Sequence, residues 1–319
     1  MDYFYLIAGL VILIASGEIL VKGAVNLAYK FQISTLVVGM TIISFGTSAP
    51  ELLVSLKSTL EGHPDIAIGN VIGSNIANLG LVLGITAMIF PIKVDRNSIR
   101  VDWPMMMLAT IVLYLFMLNY KIEFWEGAIL LLALIVFIVT MIRTSRKQNK
   151  TAALEKSSEE KPDNHVGNKN VKQIAKDTIM IVLGAVGLMF GADWLVDGAV
   201  NVARGFGVSD LVISVTVVAL GTSAPELVTS GVAAFRQHSD ISVGNLIGSN
   251  IFNIMAILGI TPLIKEIDVN AQVVSNDMFW VLGISAAVLP MLMINKNISR
   301  LEGGLLFATY LVYVYFLLN

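Results

Sequence analysis

Residues 46–51 read Gly-Thr-Ser-Ala-Pro-Glu, and residues 221–226 read Gly-Thr-Ser-Ala-Pro-Glu again. A second pair of motifs follows them, with GNVIGSN at residues 69–75 and GNLIGSN at residues 244–250. Both pairs are separated by 175 positions. The similarity extends without a gap over longer segments, about half of whose positions are identical: 17–86 and 192–261. The chain therefore contains an internal duplication, and this duplication decides the fold.

The composition is that of a membrane protein. Of the 319 residues, 56% are hydrophobic and only 14% are charged, whereas soluble domains carry about 25% charged residues. The net charge of -2 provides no basic surplus for nucleic acid, and the absence of cysteine excludes thiolate metal sites. No Gly-x4-Gly-Lys-Ser/Thr loop indicates nucleotide binding. We expect a polytopic membrane protein, and neither a soluble enzyme nor an ATP-driven pump.

Ten apolar segments are long enough to cross a bilayer, which takes about 20 residues per helix. They are 4–27, 33–60, 66–91, 104–119, 123–142, 174–200, 208–235, 241–264, 276–294 and 301–318. We predict two five-helix halves, 1–143 and 174–319, joined by a polar linker at 144–173 and containing the repeats 33–86 and 208–261. Because five is odd, the second half is inverted in the membrane, as is typical of transporters.

Basic residues predict the orientation, because Lys and Arg collect in cytoplasmic loops. With both termini outside, the inner side holds every Lys and Arg except Lys57, Lys121, Arg204 and Lys265. The first apolar segment lacks the basic start and cleavage site of a secretory signal, so it is predicted to remain as a span. We therefore expect a multi-pass protein of the cytoplasmic membrane, with lipid around it and the linker inside the cell.

The duplicated hexapeptide places proline in the middle of spans two and seven. Pro50 and Pro225 have no N–H, and each ring clashes with the carbonyl four residues back. The sequence thus predicts free carbonyls around 44–46 and 219–221, including those of Ser44 and Ala219. At membrane depth such groups persist only where protein, water or an ion satisfies them, and a hard cation is a natural partner.

Glu51 and Glu226 lie near the centres of the same two spans. A carboxylate at this depth costs a few kcal/mol and usually marks an ion pathway. Together they would carry a charge of about -2, which one Ca²⁺ or two Na⁺ would neutralise. Neutral oxygen ligands are supplied by both repeats: Thr47, Thr222, Ser48, Ser223, Ser74, Ser249, Asn78 and Asn253. A softer transition metal is disfavoured, because no thiol or histidine cluster accompanies them.

Structural interpretations of the same residues remain open. The prolines could simply kink their helices, and the hydroxyls could bond their own backbone. The carboxylates could each bond a neighbouring Ser or Thr, although identical paired hexapeptides make this the weaker reading. The other motif amides, Asn70, Asn75, Asn245 and Asn250, could line a pore or tie helices together, and we favour the second use.

Together, GTSAPE with GNVIGSNIAN and GTSAPE with GNLIGSNIFN resemble the two α-repeats of the sodium/calcium exchanger family, in its compact prokaryotic form. The resemblance implies a ten-helix inverted-repeat antiporter that exchanges Na⁺ for Ca²⁺ by alternating access. It implies Glu51 and Glu226 as central carboxylates, with Thr47 and Thr222 beside Ca²⁺ and Ser48 and Ser223 at Na⁺ sites. It further implies the carbonyls of Ser44 and Ala219 at the outer-facing site, with Ser74, Asn78, Ser249 and Asn253 at the remaining positions.

The same resemblance leads to expectations about cotransport, oligomeric state and substrates, and it leaves alternative functions open. Some family members carry Asp where this chain has Asn253, so we expect no K⁺ cotransport here. We expect a monomer, with transported Na⁺ and Ca²⁺ as substrates and no tightly bound cofactor. A proton-coupled Ca²⁺ exchanger is the nearest rival, and a passive cation channel is a more distant one.

Overall fold

The computed structural model describes residues 2–157, 171–208, 219–294 and 296–318. Within them, seven helices are long and apolar enough to cross a membrane, and one bent pair adds an eighth candidate. The helices are Asp2–Phe31, Ile66–Ile89, Ser98–Asn119, Phe124–Asn149, Val171–Gly205, Ser239–Ile264 and Val273–Met293, and the pair is Thr35–Thr47 with Ala49–Leu60. The chain is thus an all-helical, multi-pass membrane protein, as its composition predicts.

The α-helices are numbered in chain order. They are α1 Asp2–Phe31, α2 Thr35–Val38, α3 Ser44–Thr47, α4 Ala49–Leu60, α5 Pro64–Ile76, α6 Leu83–Ile89, α7 Trp103–Phe116, α8 Phe124–Ser157, α9 Val171–Gly205, α10 Ala219–Thr222, α11 Ala224–Phe235, α12 Ser239–Phe252, α13 Leu258–Ile264, α14 Met278–Met293 and α15 Arg300–Leu318. The predicted span 301–318 corresponds to α15. The predicted span 208–235 falls in part outside the described residues, which resume at α10.

Both duplicated hexapeptides interrupt a helix at the same position. The chain leaves helical geometry at Ser48 (φ -87°, ψ 4°) and at Ser223 (φ -90°, ψ 4°). Pro50 and Pro225 fall in the first turn of the following helix, where a missing N–H costs nothing. Around Ser48 the two helical segments bend by 44°. The interruption predicted from the prolines is therefore present in both repeats.

Several spans contain a π-helical turn that the sequence did not predict. These turns are Gly39–Ile43, Ala77–Val82, Ser98–Asp102, Asn253–Ile257 and Val273–Asp277. Such turns are rare and often occur at functional sites. The second and fourth turns contain Asn78 and Asn253, so both motif amides lie on locally widened helix.

Two long helices, α1 and α9, pack antiparallel along glycines. A Cβ atom on Gly198 would lie 2.5 Å from the Leu6 nitrogen, and one on Gly184 would lie 2.6 Å from the Leu20 Cβ. Only glycine permits this approach, as at other membrane helix contacts. We call the side where α1 begins and α9 ends the N-terminal side, and the opposite side the linker side.

On the linker side, a polar contact joins α1 to α9. Lys30 forms an ion pair with Asp177, and Asn26 donates a hydrogen bond of 3.1 Å to the same carboxylate. The Asp177 side chain is buried, whereas Lys30 is partly exposed. The contact therefore holds the two long helices in register at this end.

We expect Lys30→Met to destabilise the protein by about 2 kcal/mol, because only the Asn26 hydrogen bond then compensates the buried charge of Asp177. The measurement is the melting temperature in detergent. Lys57→Met is the matched control, since Lys57 is 76% exposed and its pair with Glu61 spans 3.9 Å. A melting temperature equal to that of the control would contradict the stabilising role of the Lys30–Asp177 pair.

The two halves of the chain are interlocked by short antiparallel strands. Strand β1 (Ile92–Lys93) pairs with β4 (Asn297–Ile298), and β2 (Lys121–Ile122) pairs with β3 (Ile267–Asp268). Lys121 also forms a 2.5 Å ion pair with Glu266. Each strand pair thus joins a loop of the first half to a loop of the second.

Helices also pack across the two halves, in two equivalent pairs. In the first half, α8 packs on α13, where a Cβ on Gly127 would lie 2.7 Å from the Gly259 carbonyl oxygen. In the second half, α15 packs on α6, where a Cβ on Gly303 would lie 2.7 Å from the Gly84 carbonyl oxygen. Gly84 and Gly259 are equivalent positions of the duplication, so the two contacts correspond to each other.

The predicted linker boundary after residue 143 falls inside α8, which continues to Ser157. The extension is anchored to the chain before α2: the Ser34 N–H donates to Ser145 Oγ at 2.8 Å, and Asn149 Nδ2 donates to the Gln32 carbonyl at 2.9 Å. These bonds stabilise the extension of α8 beyond residue 143, where the polar sequence had predicted the end of the helix. Helix α9 begins at Val171, and residues 158–170 of the predicted linker lie outside the described residues.

Candidate ion-binding site

The two predicted carboxylates lie in equivalent positions and are fully buried. Glu51 and Glu226 each occupy the first turn of the helix that follows a break, and their exposed fractions are 2% and 0%. The positive end of a helix dipole favours negative charge at such a position. The breaks at Ser48 and Ser223 therefore place a carboxylate at each new helix N-terminus, deep in the protein.

Among the residues that the structure describes, three of the four carboxylate oxygens have no hydrogen-bond partner. Both oxygens of Glu51 and Oε2 of Glu226 are unpaired, while Glu226 Oε1 accepts a 3.4 Å bond from Ser48 Oγ. A buried charge is stable only when it is paired or coordinates a metal. The structural alternative, in which each carboxylate is satisfied by a nearby hydroxyl, does not hold for Glu51. These oxygens are available to cations.

Residues of the first repeat meet residues of the second around this pair. Thr47 Oγ1 lies 3.3 Å from both Asn245 Oδ1 and Ser249 Oγ, and Ser44 Oγ donates to the Asn245 carbonyl at 3.0 Å. The Ser48–Glu226 contact also crosses between the repeats. The duplication thus brings both hexapeptides to one place in the molecule.

Asn70 and Asn245 act as ties beside the carboxylates, as we favoured from the sequence. Asn70 Nδ2 donates to the Glu51 carbonyl at 3.2 Å and to Ser55 Oγ at 3.1 Å. Its counterpart Asn245 donates to Ser230 Oγ at 3.0 Å. Sequence reasoning left Ser55 and Ser230 out, although their spacing of 175 positions was a signal that could have identified them.

The remaining predicted ligands lie on the helices beside the breaks. Ser74 lines a cavity of about 530 Å³ together with Thr222 and Ser223, and no described residue bonds Ser223 Oγ. Asn78 and Asn253 are buried in their π-helical turns and contact neither carboxylate through any hydrogen bond given by the described residues. Ala219 is the first residue of α10.

The expectation of a free Ser44 carbonyl is wrong. This oxygen accepts the Ser48 N–H at 2.9 Å and Thr47 Oγ1 at 3.3 Å. The reason is that the chain stays helical through Thr47, so Ser44 keeps its i+4 partner and only the Gly46 carbonyl faces the proline that lacks an N–H. A carbonyl oxygen has two lone pairs, and any ion contact at Ser44 would share that oxygen with both donors.

A cavity of about 360 Å³ reaches Glu51 from the N-terminal side. Its lining includes Glu51 and Asn70 with two acidic residues of α9, Asp193 and Asp197. A separate cavity of about 280 Å³ on the linker side is lined by charged residues, among them Glu18 and Arg236, which form an ion pair. Neither central carboxylate lines that second cavity. The structure therefore opens towards Glu51 from the N-terminal side.

The donor set is one of oxygens around two carboxylates. In the described part of the chain, no group of three or more His, Cys, Asp or Glu side chains is placed to hold a metal. Carboxylate, hydroxyl and amide oxygens suit hard cations such as Ca²⁺ and Na⁺. The arrangement can accept such ions from one side of the membrane and balance about two positive charges.

Comparison with known proteins finds relatives along nearly the whole chain. The family model described as sodium/calcium exchanger protein matches residues 1–143 and 176–319. The chain is 36% identical to the putative antiporter CaxA of Alkalimonas amylolytica, covering 99% of this chain and 98% of that protein. It is 30% identical to the sodium/calcium exchanger MaX1 of Methanosarcina acetivorans, covering 98% and 97%.

A solved structure of the sodium-calcium exchanger NCX_Mj, soaked without Na⁺ and Ca²⁺, superposes with a TM-score of 0.82. The two chains are 30% identical, and the match covers 99% of this chain and 98% of the other. The relatives that carry a functional name are transporters and not enzymes. The matches span nearly the whole length of both partners, and the chain belongs to the sodium/calcium exchanger family of cation antiporters.

Proposed function

We propose that this protein exchanges Na⁺ for Ca²⁺ across the cytoplasmic membrane by alternating access, with Na⁺ entry driving Ca²⁺ extrusion. The observation that carries the proposal is the pair of buried carboxylates, Glu51 and Glu226, whose unpaired oxygens come from two copies of one hexapeptide. The functional names of MaX1 and NCX_Mj support Na⁺ and Ca²⁺ as the ions. The similarity to the inner membrane protein YrbG of Escherichia coli, 34% identical over 85% of this chain, supports the location.

We extend the proposal to the topology. Ten spans form two inverted halves, 1–143 and 174–319, with the linker in the cytoplasm and both termini outside. The exchanged strand and helix contacts between halves support the inversion, since each half completes the other. One chain holds both copies of the site, so a monomer suffices. The N-terminal side is then the extracellular side.

The proposed ligands follow the duplication. Glu51 and Glu226 are central, Thr47 and Thr222 flank Ca²⁺, and Ser48 and Ser223 serve Na⁺. The outer ligands are the carbonyls of Ser44 and Ala219, and the remaining positions are taken by Ser74, Ser249, Asn78 and Asn253. Na⁺ and Ca²⁺ share these oxygens, and a charge of about -2 accepts one Ca²⁺ or two Na⁺ at comparable electrostatic cost. Loading one ion species therefore displaces the other.

The test is ⁴⁵Ca²⁺ uptake into proteoliposomes under separately imposed Na⁺, K⁺ and H⁺ gradients. We expect uptake to follow the Na⁺ gradient alone. Uptake that follows only the pH gradient would replace this proposal with a proton-coupled exchanger. Single-channel currents would replace it with a passive channel, which conducts through weak sites in series.

Asn253→Asp tests the selectivity assigned to the amide. A third carboxylate adds negative charge to a buried site, so it favours one more monovalent cation. We expect Ca²⁺ uptake by this variant to be stimulated by K⁺ at least twofold, whereas the wild type does not respond. Asn270→Asp is the control, because Asn270 is exposed and its side-chain oxygen keeps its bond from the Gln272 N–H. No K⁺ response in Asn253→Asp would contradict the assignment.

A further inference from the structure

Two buried amides of the duplicated GSN motifs have no role in the proposed site. Asn75 and Asn250 are equivalent in the duplication, and each is 1% exposed. Each precedes by three residues a proposed amide ligand, Asn78 in the first repeat and Asn253 in the second. Their hydrogen bonds differ between the repeats, and this difference is informative.

From Asn253 through Asn75 to the backbone of Asn250, two consecutive hydrogen bonds connect the repeats, and we call them a relay. Asn75 Nδ2 donates to the backbone carbonyl of Asn250 at 3.4 Å, and Asn253 Nδ2 donates to Asn75 Oδ1 at 3.1 Å. A backbone carbonyl can only accept, so Asn75 must turn its amino group towards it and its oxygen towards Asn253. Asn253 must then offer its amino group to Asn75, which leaves Asn253 Oδ1 buried and without a partner in the described part of the chain. The relay fixes Asn253 as an oxygen ligand.

The equivalent hydrogen bond in the opposite direction, from Asn78 to Asn250, is not formed between these two described residues. Asn250 Nδ2 donates to the Leu246 carbonyl of its own helix at 2.7 Å, and Asn250 Oδ1 has no partner among the described residues. Both amide atoms of Asn78 are likewise buried, and neither is paired within the described ranges of the chain. Leaving buried polar atoms unpaired costs free energy, so a conformation that pairs Asn78 Nδ2 with Asn250 Oδ1 would recover it. The acceptor and the donor for that second relay are already present.

We propose that Asn75 and Asn250 are positioning residues that alternately orient the two amide ligands. Asn75 fixes the Asn253 oxygen in the state shown here, and Asn250 fixes the Asn78 oxygen in the state that faces the linker side. The proposal rests on the proposed antiport function, because inverted repeats exchange their conformations when such a transporter changes its facing side. Each facing state then has one oriented amide ligand and one unoriented amide ligand.

The experiment measures the half-saturating Ca²⁺ concentration for Ca²⁺–Ca²⁺ exchange at each face, in right-side-out and inside-out membrane vesicles. We expect Asn75→Ala to raise this concentration about fivefold at the extracellular face and to change it little at the cytoplasmic face. A change of about fivefold is the size expected when one hydrogen bond is lost. We expect Asn250→Ala to do the reverse. Equal effects at both faces, or no effect of either variant, would overturn the proposal.

Folding and function are controlled separately. Melting temperatures in detergent verify that each variant folds, and Asn75→Ser replaces Asn75→Ala if the alanine variant does not. Wild-type vesicles that exchange no Ca²⁺ at all would reject the proposed function. Wild-type exchange combined with variants that affect both faces alike would reject only the positioning roles.

Discussion

Replacing Glu51 by glutamine is expected to lower Na⁺-driven ⁴⁵Ca²⁺ uptake by a factor on the order of 100 or more. Neither oxygen of Glu51 has a hydrogen-bond partner in the part of the chain that the structure describes, so the charge of this side chain is available to the ion. The amide keeps the size of the side chain but reduces the charge of the pair from about -2 to about -1. One Ca²⁺ is then incompletely compensated in a buried site, where an unbalanced charge costs several kcal/mol.

Glu61→Gln is the matched control for this variant. Glu61 directly follows α4, the helix that carries Glu51, but its side chain is exposed and its contact with Lys57 is long. Uptake by Glu61→Gln should equal that of the wild type. Near-normal uptake by a folded Glu51→Gln protein would show that this carboxylate does not bind the transported ion.

Gly248→Ala is expected to have the second large effect, on both stability and transport. A Cβ at this position would lie 2.3 Å from Ser44 Oγ and 2.7 Å from the Cα of Met40, and the second contact is with backbone that cannot move aside. Overpacking of this kind costs about 1–3 kcal/mol. It also pushes the broken span away from α12, where Thr47 contacts Ser249.

The measurements for Gly248→Ala are the melting temperature in detergent and the rate of Ca²⁺ uptake, and both should fall clearly below the wild-type values. Gly283→Ala is the control, because Gly283 is exposed on α14 and a Cβ there meets no described atom within 4 Å. If the two alanine variants behave alike, the close approach of α12 to the broken span is unimportant for the fold.

The fold and the positions of the two central carboxylates were predictable, because they depend on the order of residue types along the chain. Apolar length predicts helices that cross a membrane, and proline predicts where a helix must break. The duplication then identifies Glu51 and Glu226 as partners, since each occurs at the same place in an identical hexapeptide. The resemblance to known exchangers added the proposed ions and the proposed ligand roles.

The finer geometry was not predictable from one sequence, because tertiary contacts decide it. The Ser44 carbonyl stays bonded since the helix persists to Thr47, and no local rule specifies that the break falls at Ser48 rather than earlier. The π-helical turns at Asn78 and Asn253 have no sequence signature of their own. The extension of α8 depends on bonds to Ser34 and Gln32, which are more than 100 residues away in the chain.

Competition between the two ions for one site is the most direct test of the central proposal. The measurement is equilibrium binding of ⁴⁵Ca²⁺ to the purified protein in detergent, titrated with NaCl at constant ionic strength maintained with choline chloride. We expect Na⁺ to displace Ca²⁺ completely and with a Hill coefficient above one, because two or more Na⁺ replace one Ca²⁺ on shared oxygens of Glu51 and Glu226. Bound Ca²⁺ that is indifferent to Na⁺ would contradict a shared site and the antiport mechanism built on it.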